Sequence, residues 1–534
     1  PGFVEAYSNL GILYRELQQF DEAISNYNQA ISLQPRFTEA YVNRGIALSE
    51  QNKFDEAIIS YEKALDINPQ YPEALFNLAN AYRDLDDADI AIEFYQKAIE
   101  IKKDYAEAYF NCGFILLEKE SYEQAISYFK KGLCHNSNLW GPCCGIAQCY
   151  KSLNQYDVAL DFLEKLIESN EQCSQFHNEY ALLLQDLNRR EEALISFDKA
   201  IQIEPGNIEA QWNKSLLLLS NGDFKNGWKL YEKRWELPSF PSEKRVFPFP
   251  KWNPSMPKDV NVLMHTEQGI GDEVLFVSIL PEFINLYPNV TLECSERLVN
   301  LLQRSFPKIK VVSYHSTSLE DNSAFDAYMQ TGSLPLYFRE SVDDFYQKQP
   351  ERYLIPDPVE KQKWRLWLDT LPAKINIGLC WRSSYTNSSR SRYYTRLEDW
   401  EWLINDPRFN VINLQYDDIS SDLTELSDSS LITFYDPPEI DQKQELDRVC
   451  SLISELDFVI TSGTAVSRFS SALGVKTLAY GLDVNPYIFG NAQQPYVPEP
   501  WYRNTLYFPY SSAEPASVVC VRIQKLIDED YFLV

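Results

Sequence analysis

The small and the large apolar positions of residues 1–235 recur with a period of 34 residues. One register holds small residues, a second holds alanine or glycine, and a third holds large apolar side chains. Their members are Gly11, Gly45, Ala79, Gly113, Ala147, Ala181 and Ser215; Ala23, Ala57, Ala91, Ala125, Ala159, Ala193 and Gly227; and Tyr27, Tyr61, Tyr95, Phe129, Leu163, Phe197 and Tyr231. Small residues let two helices touch, and large side chains fill the next contact. The pattern predicts an all-α solenoid of seven stacked helix pairs over residues 1–237.

A fourth register holds Pro35, Pro69 and Pro205 at the turn between helices. With these four registers the region resembles the tetratricopeptide repeat. Residues 1–5 match residues 35–39, which span the end of one repeat and the start of the next. We therefore expect that further repeats precede residue 1 in the natural protein.

The periodic pattern stops at residue 238, and residues 238–258 are rich in proline and aromatic residues. Proline fixes φ and removes a backbone donor, so neither a helix nor a central strand can form there. Flexible linkers usually lack large rings, and this stretch contains Phe247, Phe249 and Trp252. We expect an ordered strap that packs on both flanking regions. Four rings at helical spacing just before it favour a capping interface: Phe224, Trp228, Tyr231 and Trp235.

From residue 259 onward, short apolar runs alternate with helical patterns, which is typical of βαβ units and a parallel sheet. Strands are predicted at 260–265, 290–293, 309–312, 325–330, 375–381, 409–415, 431–435, 457–461 and 475–480. Helices are predicted at 273–287, 296–305, 397–404, 442–455 and 465–473. The strands form two series, so we expect two α/β lobes, at 259–373 and 374–534. Ligands of such folds bind outside the carboxyl ends of the strands.

Composition excludes some classes of function. The formal net charge of −28 argues against nucleic acid, which needs a basic surface. The sequence has no uninterrupted apolar run of about 18 residues and no signal-peptide pattern at its start. The ten cysteines show neither disulfide nor zinc spacing. We therefore expect Cys143, Cys144 and Cys149, which lie inside a repeat, to be buried structural thiols, and we expect no metal site and a cytoplasmic location.

The end of the first strand carries a glycine-rich turn with Gly269, Gly271 and Asp272. Asp272 could cap the helix that follows. It could instead be a general base, because loops at strand ends present side chains to a ligand. His265 at the same strand end is a second candidate base, although a lone histidine is more often structural.

Two strand ends of the second lobe suit an anion such as diphosphate. The candidates after the strand 375–381 are Trp381, Arg382, Ser383, Ser384, Arg390 and Arg392. Guanidinium groups chelate phosphate oxygens, but a basic loop paired with surface acids is the alternative. The second turn consists of Ser462, Gly463, Thr464 and Ala465. Free backbone N–H groups and the helix dipole favour phosphate there, unless the segment is an ordinary strand-to-helix turn.

Residues 210–510 resemble the heptosyltransferase-like glycosyltransferases of GT-B architecture, especially bacterial proteins that fuse tetratricopeptide repeats to such a domain. The resemblance rests on five motifs in order. They are residues 267–273; 297–299 with 304–307; 378–383; 413–416; and 463–466. The resemblance implies an inverting, metal-independent transfer from a nucleotide sugar, which is a donor substrate and not a cofactor.

The same resemblance assigns roles to residues. Asp272 matches the proposed base, and Arg382, Ser383 and Ser384 match the phosphate-binding turn, with a nearby cation from Arg390 or Arg392. Gln415 matches a group that contacts the nucleoside. The last motif departs from the family, because Gly463 replaces an aspartate and Arg468 stands where histidine is common. These changes put a heptosyl-nucleotide donor in doubt, and Arg468 would favour extra negative charge or pack outward.

The domain order also resembles that of the O-GlcNAc transferases, whose repeats line an inner groove with asparagines. One register here holds Asn9, Asn43, Asn77, Asn111 and Asn213, and it is interrupted by Gly145 and Glu179. A side-chain amide both donates and accepts, so such a ladder can hold an extended peptide without reading its sequence. Asparagine is also common at this position in plain repeats.

Together these features predict a glycosyltransferase that modifies a hydroxyl group on a protein held by the repeats. One alternative is a scaffold whose transferase fold no longer catalyses. Another is a transferase for a glycan or lipid acceptor, in which the repeats recruit partners. The sequence also leaves a homo-oligomer open.

Overall fold

The computed structural model describes residues 3–136, 139–314, 324–383, 394–424, 426, 434–482, 494–511 and 514–529. The chain divides into two compact units, Pro1–Leu183 and Leu184–Val534. The division lies about 50 residues before the boundary that the repeat pattern places at residue 237. The last repeat shares a hydrophobic core with the α/β region that follows it.

The repeat region contains fourteen helices in the described residues, as the 34-residue period predicts. They are α1 (Val4–Glu16), α2 (Phe20–Leu33), α3 (Thr38–Glu50), α4 (Phe54–Ile67), α5 (Pro72–Asp84), α6 (Ala88–Ile101), α7 (Ala106–Glu118), α8 (Tyr122–His135), α9 (Trp140–Ser152), α10 (Tyr156–Ser169), α11 (Ser174–Asp186), α12 (Arg190–Ile203), α13 (Ile208–Ser220) and α14 (Phe224–Tyr231). A 3-10 helix, Glu232–Glu236, ends the series.

The registers explain how the two helices of a pair pack. A Cβ atom added to Gly11 in α1 would lie 2.5 Å from the ring of Tyr27 in α2. Phe129 in α8 presses on Gly113 in the same way. Both rings are completely buried. The small residue of one register therefore leaves the space into which the large side chain of another register packs.

The first helix of each of six pairs is followed by a non-glycine residue with positive φ. These residues repeat every 34 positions and are Gln18, Asn52, Asp86, Glu120, Asn154 and Asn188, with φ from 57° to 67°. Gly222 occupies the next position with φ 81°. A left-handed residue lets the chain reverse after a helix, which places the second helix against the first.

The strap, residues 238–258, contacts the segments on both sides of it. Its backbone bonds to β4, because the Trp252 N–H donates to the Tyr328 carbonyl at 2.8 Å. The Trp252 ring lies 5.0 Å from that of Phe283 in the first lobe. On the repeat side, Phe240 lies 5.0 Å from Trp235. Residues 238–258 contain neither a helix nor a central strand.

The first lobe contains a four-stranded parallel sheet with the order β3-β2-β1-β4. Its elements are β1 (Val262–His265), α15 (Ile270–Val277), α16 (Leu280–Leu286), β2 (Val290–Cys294), the 3-10 helix Glu296–Leu298, α17 (Val299–Ser305), β3 (Lys310–Ser313) and β4 (Ala327–Gln330). The helices Pro335–Phe338, Val342–Lys348 and Pro358–Leu368 follow. The predicted helix 273–287 is in fact two helices, because the chain turns at Ser278 and restarts with Pro281 in the first turn.

The second lobe contains a seven-stranded sheet with the order β10-β11-β9-β8-β5-β6-β7, in which only the β10–β11 pair is antiparallel. Its strands are β5 (Ile375–Cys380), β6 (Phe409–Asn413), β7 (Phe434–Tyr435), β8 (Phe458–Ser462), β9 (Lys476–Leu482), β10 (Val497–Pro498) and β11 (Thr505–Tyr510). Its described helices are the 3-10 helix Leu397–Trp400, then Glu401–Ile404, Ser420–Thr424, Leu446–Ile453, Ala465–Ala472 and Val518–Asp528. The sequence prediction missed β10, β11 and the last helix.

Candidate functional site

The turn after β1 places Asp272 at the start of α15. Its Oδ2 atom accepts a hydrogen bond from the Gly269 N–H at 3.3 Å, so the carboxylate helps to cap its own helix. Burial raises the pKa of Asp272, although the nearby Arg468 guanidinium and the Gly269 N–H act in the opposite direction. The structure thus shows the capping contact and also a carboxylate whose affinity for a proton is increased.

The glycine turns of the two lobes touch each other. A Cβ atom added to Gly271 would lie 3.3 Å from Cα of Ala465, so the absence of a side chain at Gly271 permits this approach. Ala465 begins the helix Ala465–Ala472, which also carries Arg468. Arg468 forms an ion pair with the buried Glu499. The fold therefore brings together Gly271, Asp272, Ala465 and Arg468, which were predicted from separate motifs.

The turn at the end of β8 uses two of its backbone N–H groups within the protein and leaves one hydroxyl without a partner. The Gly463 N–H donates to the Tyr480 carbonyl at 2.9 Å, and the Thr464 N–H donates to the Ser462 carbonyl at 2.6 Å. No described side chain caps the helix at Thr464. Within the described part of the chain, the buried Ser462 hydroxyl also has no hydrogen-bond partner. An uncapped helix start beside such a hydroxyl is suited to an anion.

The side chains at the end of β5 have more hydrogen-bond and ion-pair partners within the protein than the sequence suggested. The Arg382 guanidinium pairs with Asp417 and with Asp422, the latter at 2.6 Å. The Trp381 indole N–H also donates to Asp422, at 3.1 Å. Gln415 joins this cluster, because its side chain accepts from the Arg382 N–H at 3.2 Å and donates to Asp417 at 2.7 Å. A diphosphate at Arg382 would have to compete with two carboxylates.

Three residues assigned to the same loop, Ser384, Arg390 and Arg392, lie outside the described residues. Ser383 is described and directly follows Arg382, at the end of the described segment.

His265 is a buried residue at the end of β1. Burial and the nearby Arg245 lower its pKa to about 4, so the imidazole is neutral at pH 7. Its Nε2 atom has no hydrogen-bond partner among the described residues. Aromatic rings surround it, with Phe247 at 5.5 Å and Trp235 at 6.1 Å between centroids. The ring therefore combines an unused polar atom with an apolar environment.

One further polar side chain lies beside His265 and a second follows it in the chain, and the sequence analysis missed both. Gln330 at the end of β4 pairs in register with His265, so both side chains lie on the same face of the sheet. Thr331 follows directly. Within the described residues, the buried Oε1 of Gln330 and Oγ1 of Thr331 have no partner. The available signal was their position at a strand end, but that signal does not distinguish a paired from an unpaired group.

A buried ion pair holds the turn after β1 in place. Nε of Arg234 lies 2.8 Å from Oε1 of Glu267, and both side chains are completely buried. Arg234 also donates to Oγ of Ser333 at 3.0 Å. A Cβ atom on Gly332 would collide with the Glu267 carboxylate. Glu267, which belongs to the first motif, therefore links the last repeat to the loop that carries Gly269 and Asp272.

The asparagine register falls on the first helices of the repeats. In the first unit Asn9 is exposed, whereas Asn43, Asn77 and Asn111 are half-buried. The Asn111 side chain donates to Asn80 at 3.2 Å and to the Tyr95 hydroxyl at 3.1 Å. Asn213 lies on α13 in the second unit. Three of the five amides thus occupy equivalent, partly accessible positions within one unit.

The described part of the chain contains neither a candidate metal site nor a candidate membrane-spanning helix. No group of three or more His, Cys, Asp or Glu side chains there could hold a metal ion. None of the described helices is both long enough and apolar enough to cross a membrane.

The fold is therefore a tetratricopeptide-repeat solenoid followed by an α/β region with parallel sheets. Models of the tetratricopeptide repeat match residues 4–37, 47–86, 79–120, 142–173 and 174–207.

The chain is similar to protein FlbA of Caulobacter vibrioides, with 25% identity over 380 residues. The match covers 62% of this chain and 63% of FlbA, so this chain spans less than two thirds of the length of that relative. About 330 residues of this chain are covered, which is more than the repeats contain. The similarity thus extends beyond the repeats.

Among solved structures, MamA is 23% identical with a TM-score of 0.30, and the match covers 32% of this chain and 94% of MamA. YrrB, described as a tetratricopeptide-repeat protein with an unusual peptide-binding site, is 22% identical with a TM-score of 0.30. That match covers 35% of this chain and 97% of YrrB. A repeat protein of Parabacteroides merdae is 19% identical with a TM-score of 0.38, covering 43% of this chain and 91% of its own.

Proposed function

We propose that this protein is a glycosyltransferase that moves a sugar from a nucleotide-sugar donor to a hydroxyl group. The observation that carries the proposal is the contact between the Gly271 turn and the start of the helix Ala465–Ala472. Through this contact Asp272, whose pKa is raised, lies near the start of a helix that no described side chain caps. A general base beside an anion-binding element is suited to displacing a phosphate group by a hydroxyl.

In the proposed reaction, Asp272 takes the proton of the acceptor hydroxyl. The acceptor oxygen forms a bond to the anomeric carbon while the bond from that carbon to the diphosphate oxygen breaks. The electron pair leaves with the diphosphate. The Ala465 N–H and the Ser462 hydroxyl would hold that diphosphate. Attack from the face opposite the leaving group inverts the anomeric centre. His265 and Gln330 would bind the acceptor with the polar atoms that the ends of β1 and β4 leave unused.

The substitution Asp272→Asn tests this assignment. We expect transfer to fall by roughly 10²- to 10⁴-fold, because the proton acceptor is lost, while nucleotide-sugar binding stays the same. In the native protein the rate should rise with pH through the raised pKa of Asp272, because only the ionised carboxylate accepts a proton. The variant should lack that rise. Steady-state transfer from radiolabelled nucleotide sugars between pH 4 and 9 measures both effects, and an unchanged rate would exclude Asp272 as the base.

We further propose that the acceptor is a protein held along the first helices of the repeats. Replacing Asn43 and Asn77 together by alanine should raise KM for a protein acceptor about tenfold, because two backbone hydrogen bonds are lost. Hydrolysis of the donor by water should not change. A matched control is Lys63→Ala, on the second helix of a pair, where the side chain is 58% exposed. If both variants behave alike, the asparagine positions do not bind the acceptor.

A scaffold without catalysis is the second candidate, and a specific observation favours it. Arg382 is paired with Asp417 and Asp422, and Arg468 is paired with Glu499, so carboxylates already occupy the main cations of the site. Thermal unfolding with a panel of nucleoside diphosphates and nucleotide sugars separates the two functions, since a ligand of the native state raises the melting temperature. A response to one nucleotide supports the transferase, and no response to any supports the scaffold.

If transfer occurs, incorporation of the sugar into protein, lipid and saccharide fractions identifies the acceptor class. A rate that is unchanged by EDTA would support metal independence.

A further inference from the structure

A pocket lies away from the glycine turns, since none of their residues lines it. Its cavity volume is about 600 Å³, which is typical of a site for a small ligand. It opens between α16, the turn after α17 and the segment 352–361 that leads from the first lobe to the second. Apolar side chains form most of its wall: Pro281, Ile284, Phe306, Pro307, Leu354 and Ile355.

The charged residues of this pocket all have the same sign. Lys308, Arg352 and Lys361 line it, and no carboxylate is found among the described lining residues. Lys361 is paired with Glu455 at 3.0 Å. Lys308 and Arg352 are exposed and form no ion pair within the described part of the chain. Two uncompensated cations beside an apolar wall are unusual in a chain with a net charge of −28.

We propose that this pocket binds a small amphipathic anion, which is an apolar chain or ring that ends in a carboxylate. The apolar part would cover Ile284, Phe306 and Leu354, which releases water from these surfaces. The carboxylate would lie between Lys308 and Arg352, because a guanidinium can donate two parallel hydrogen bonds to one carboxylate. A neutral molecule of the same length would make only the first set of contacts.

The wall of the pocket is hydrogen-bonded to both elements of the candidate active site. The N–H groups of Tyr353 and Leu354 donate to the Ala472 carbonyl, at 3.0 and 3.1 Å, at the end of the helix Ala465–Ala472. The Tyr353 hydroxyl donates to the Val274 carbonyl in α15 at 2.6 Å. The Ile355 N–H donates to Oγ of Ser305 at 2.9 Å. A ligand that orders residues 353–355 would thereby also hold the two helices that meet at Gly271.

Calorimetric titration of the full chain with octanoate tests the binding, with octan-1-ol as the neutral control. We expect one octanoate site with a Kd on the order of 0.1–1 mM and weaker binding of the alcohol. The double substitution Lys308→Gln and Arg352→Gln should weaken octanoate binding about tenfold and leave octanol binding unchanged. Ile284→Trp should fill the cavity and abolish binding of both, with circular dichroism confirming that the fold is kept.

Hydrogen exchange locates the ligand independently of any transfer activity. Octanoate should slow exchange of the amides of Tyr353, Leu354 and Ile355. The proposal is overturned if octanoate binds the double variant as tightly as the native protein, if no heat is detected, or if binding leaves these three amides unchanged. None of these readouts depends on the proposed transferase function, so the two proposals fail separately.

Discussion

At the scale of single residues, six non-glycine residues of the solenoid adopt a strained backbone conformation with positive φ, which the sequence pattern did not reveal. Glycine is the residue expected at a left-handed helix end, yet only Gly222 fills that position. The other six positions hold asparagine, aspartate, glutamine or glutamate, and no single residue type marks them in the sequence. For the same reason the partners of Arg382 could not be predicted, because Asp417 and Asp422 are brought to it only by the sheet. Asp272 and Arg468 were found because motifs named them.

Replacing Glu120 by glycine should stabilise the first unit by about 0.5–1 kcal/mol, because glycine adopts positive φ without a steric penalty. Glu120 is exposed, so little packing is lost. The opposite change, Gly222→Ala, should destabilise the second unit by a similar amount. Space is not limiting there, since the added Cβ would lie 3.8 Å from Val342. Urea unfolding followed by circular dichroism measures both, and a destabilised Glu120→Gly variant would show that the strain is negligible.

At the scale of elements, apolar runs predicted the central strands of both sheets well. β11 was missed because Thr505–Tyr510 contains a proline, and β10 is only two residues long. The split of the predicted helix 273–287 had a visible signal in Pro281, which favours a helix start. The contact between α15 and the helix Ala465–Ala472 had no signal in the sequence, because it joins segments almost 200 residues apart.

Because of that contact, alanine should cost much more stability at Gly271 than at Gly269. Gly271→Ala should lower the melting temperature by several degrees, because its Cβ would lie 3.3 Å from the Ala465 backbone and would push the two helices apart. Gly269→Ala is the matched control, since its Cβ would meet only Asp272 Oδ2, at an ordinary 3.7 Å. Differential scanning calorimetry compares them. Equal melting temperatures would mean that the two turns separate easily.

At the scale of the whole molecule, the last repeat is part of the α/β region. Phe224, Trp228 and Tyr231 are buried in one core with residues of the first lobe, and the Phe224 ring lies 5.0 Å from that of Phe345. The sequence predicted these rings as a capping interface. It could not predict the Arg234–Glu267 pair, since neither residue differs from an ordinary surface charge until the chain is folded.

Arg234→Met should destabilise the second unit by about 3–5 kcal/mol, because it leaves the Glu267 carboxylate buried without its cation. The double variant Arg234→Met and Glu267→Met should recover most of this loss, since it removes both charges. Thermal unfolding of the two single variants and the double variant gives the coupling energy. Additive losses would show that the two side chains do not interact.

The same ion pair decides where the α/β region can be cut for separate expression. A fragment starting at residue 238 would follow the change in sequence pattern, but it would lack the cation of Glu267 and the three aromatic rings of α14. Such a fragment should be insoluble when produced alone. A fragment starting at Leu184 keeps these groups and follows the division between the compact units. In a truncation series, the yield of soluble protein should therefore drop abruptly once Arg234 is removed.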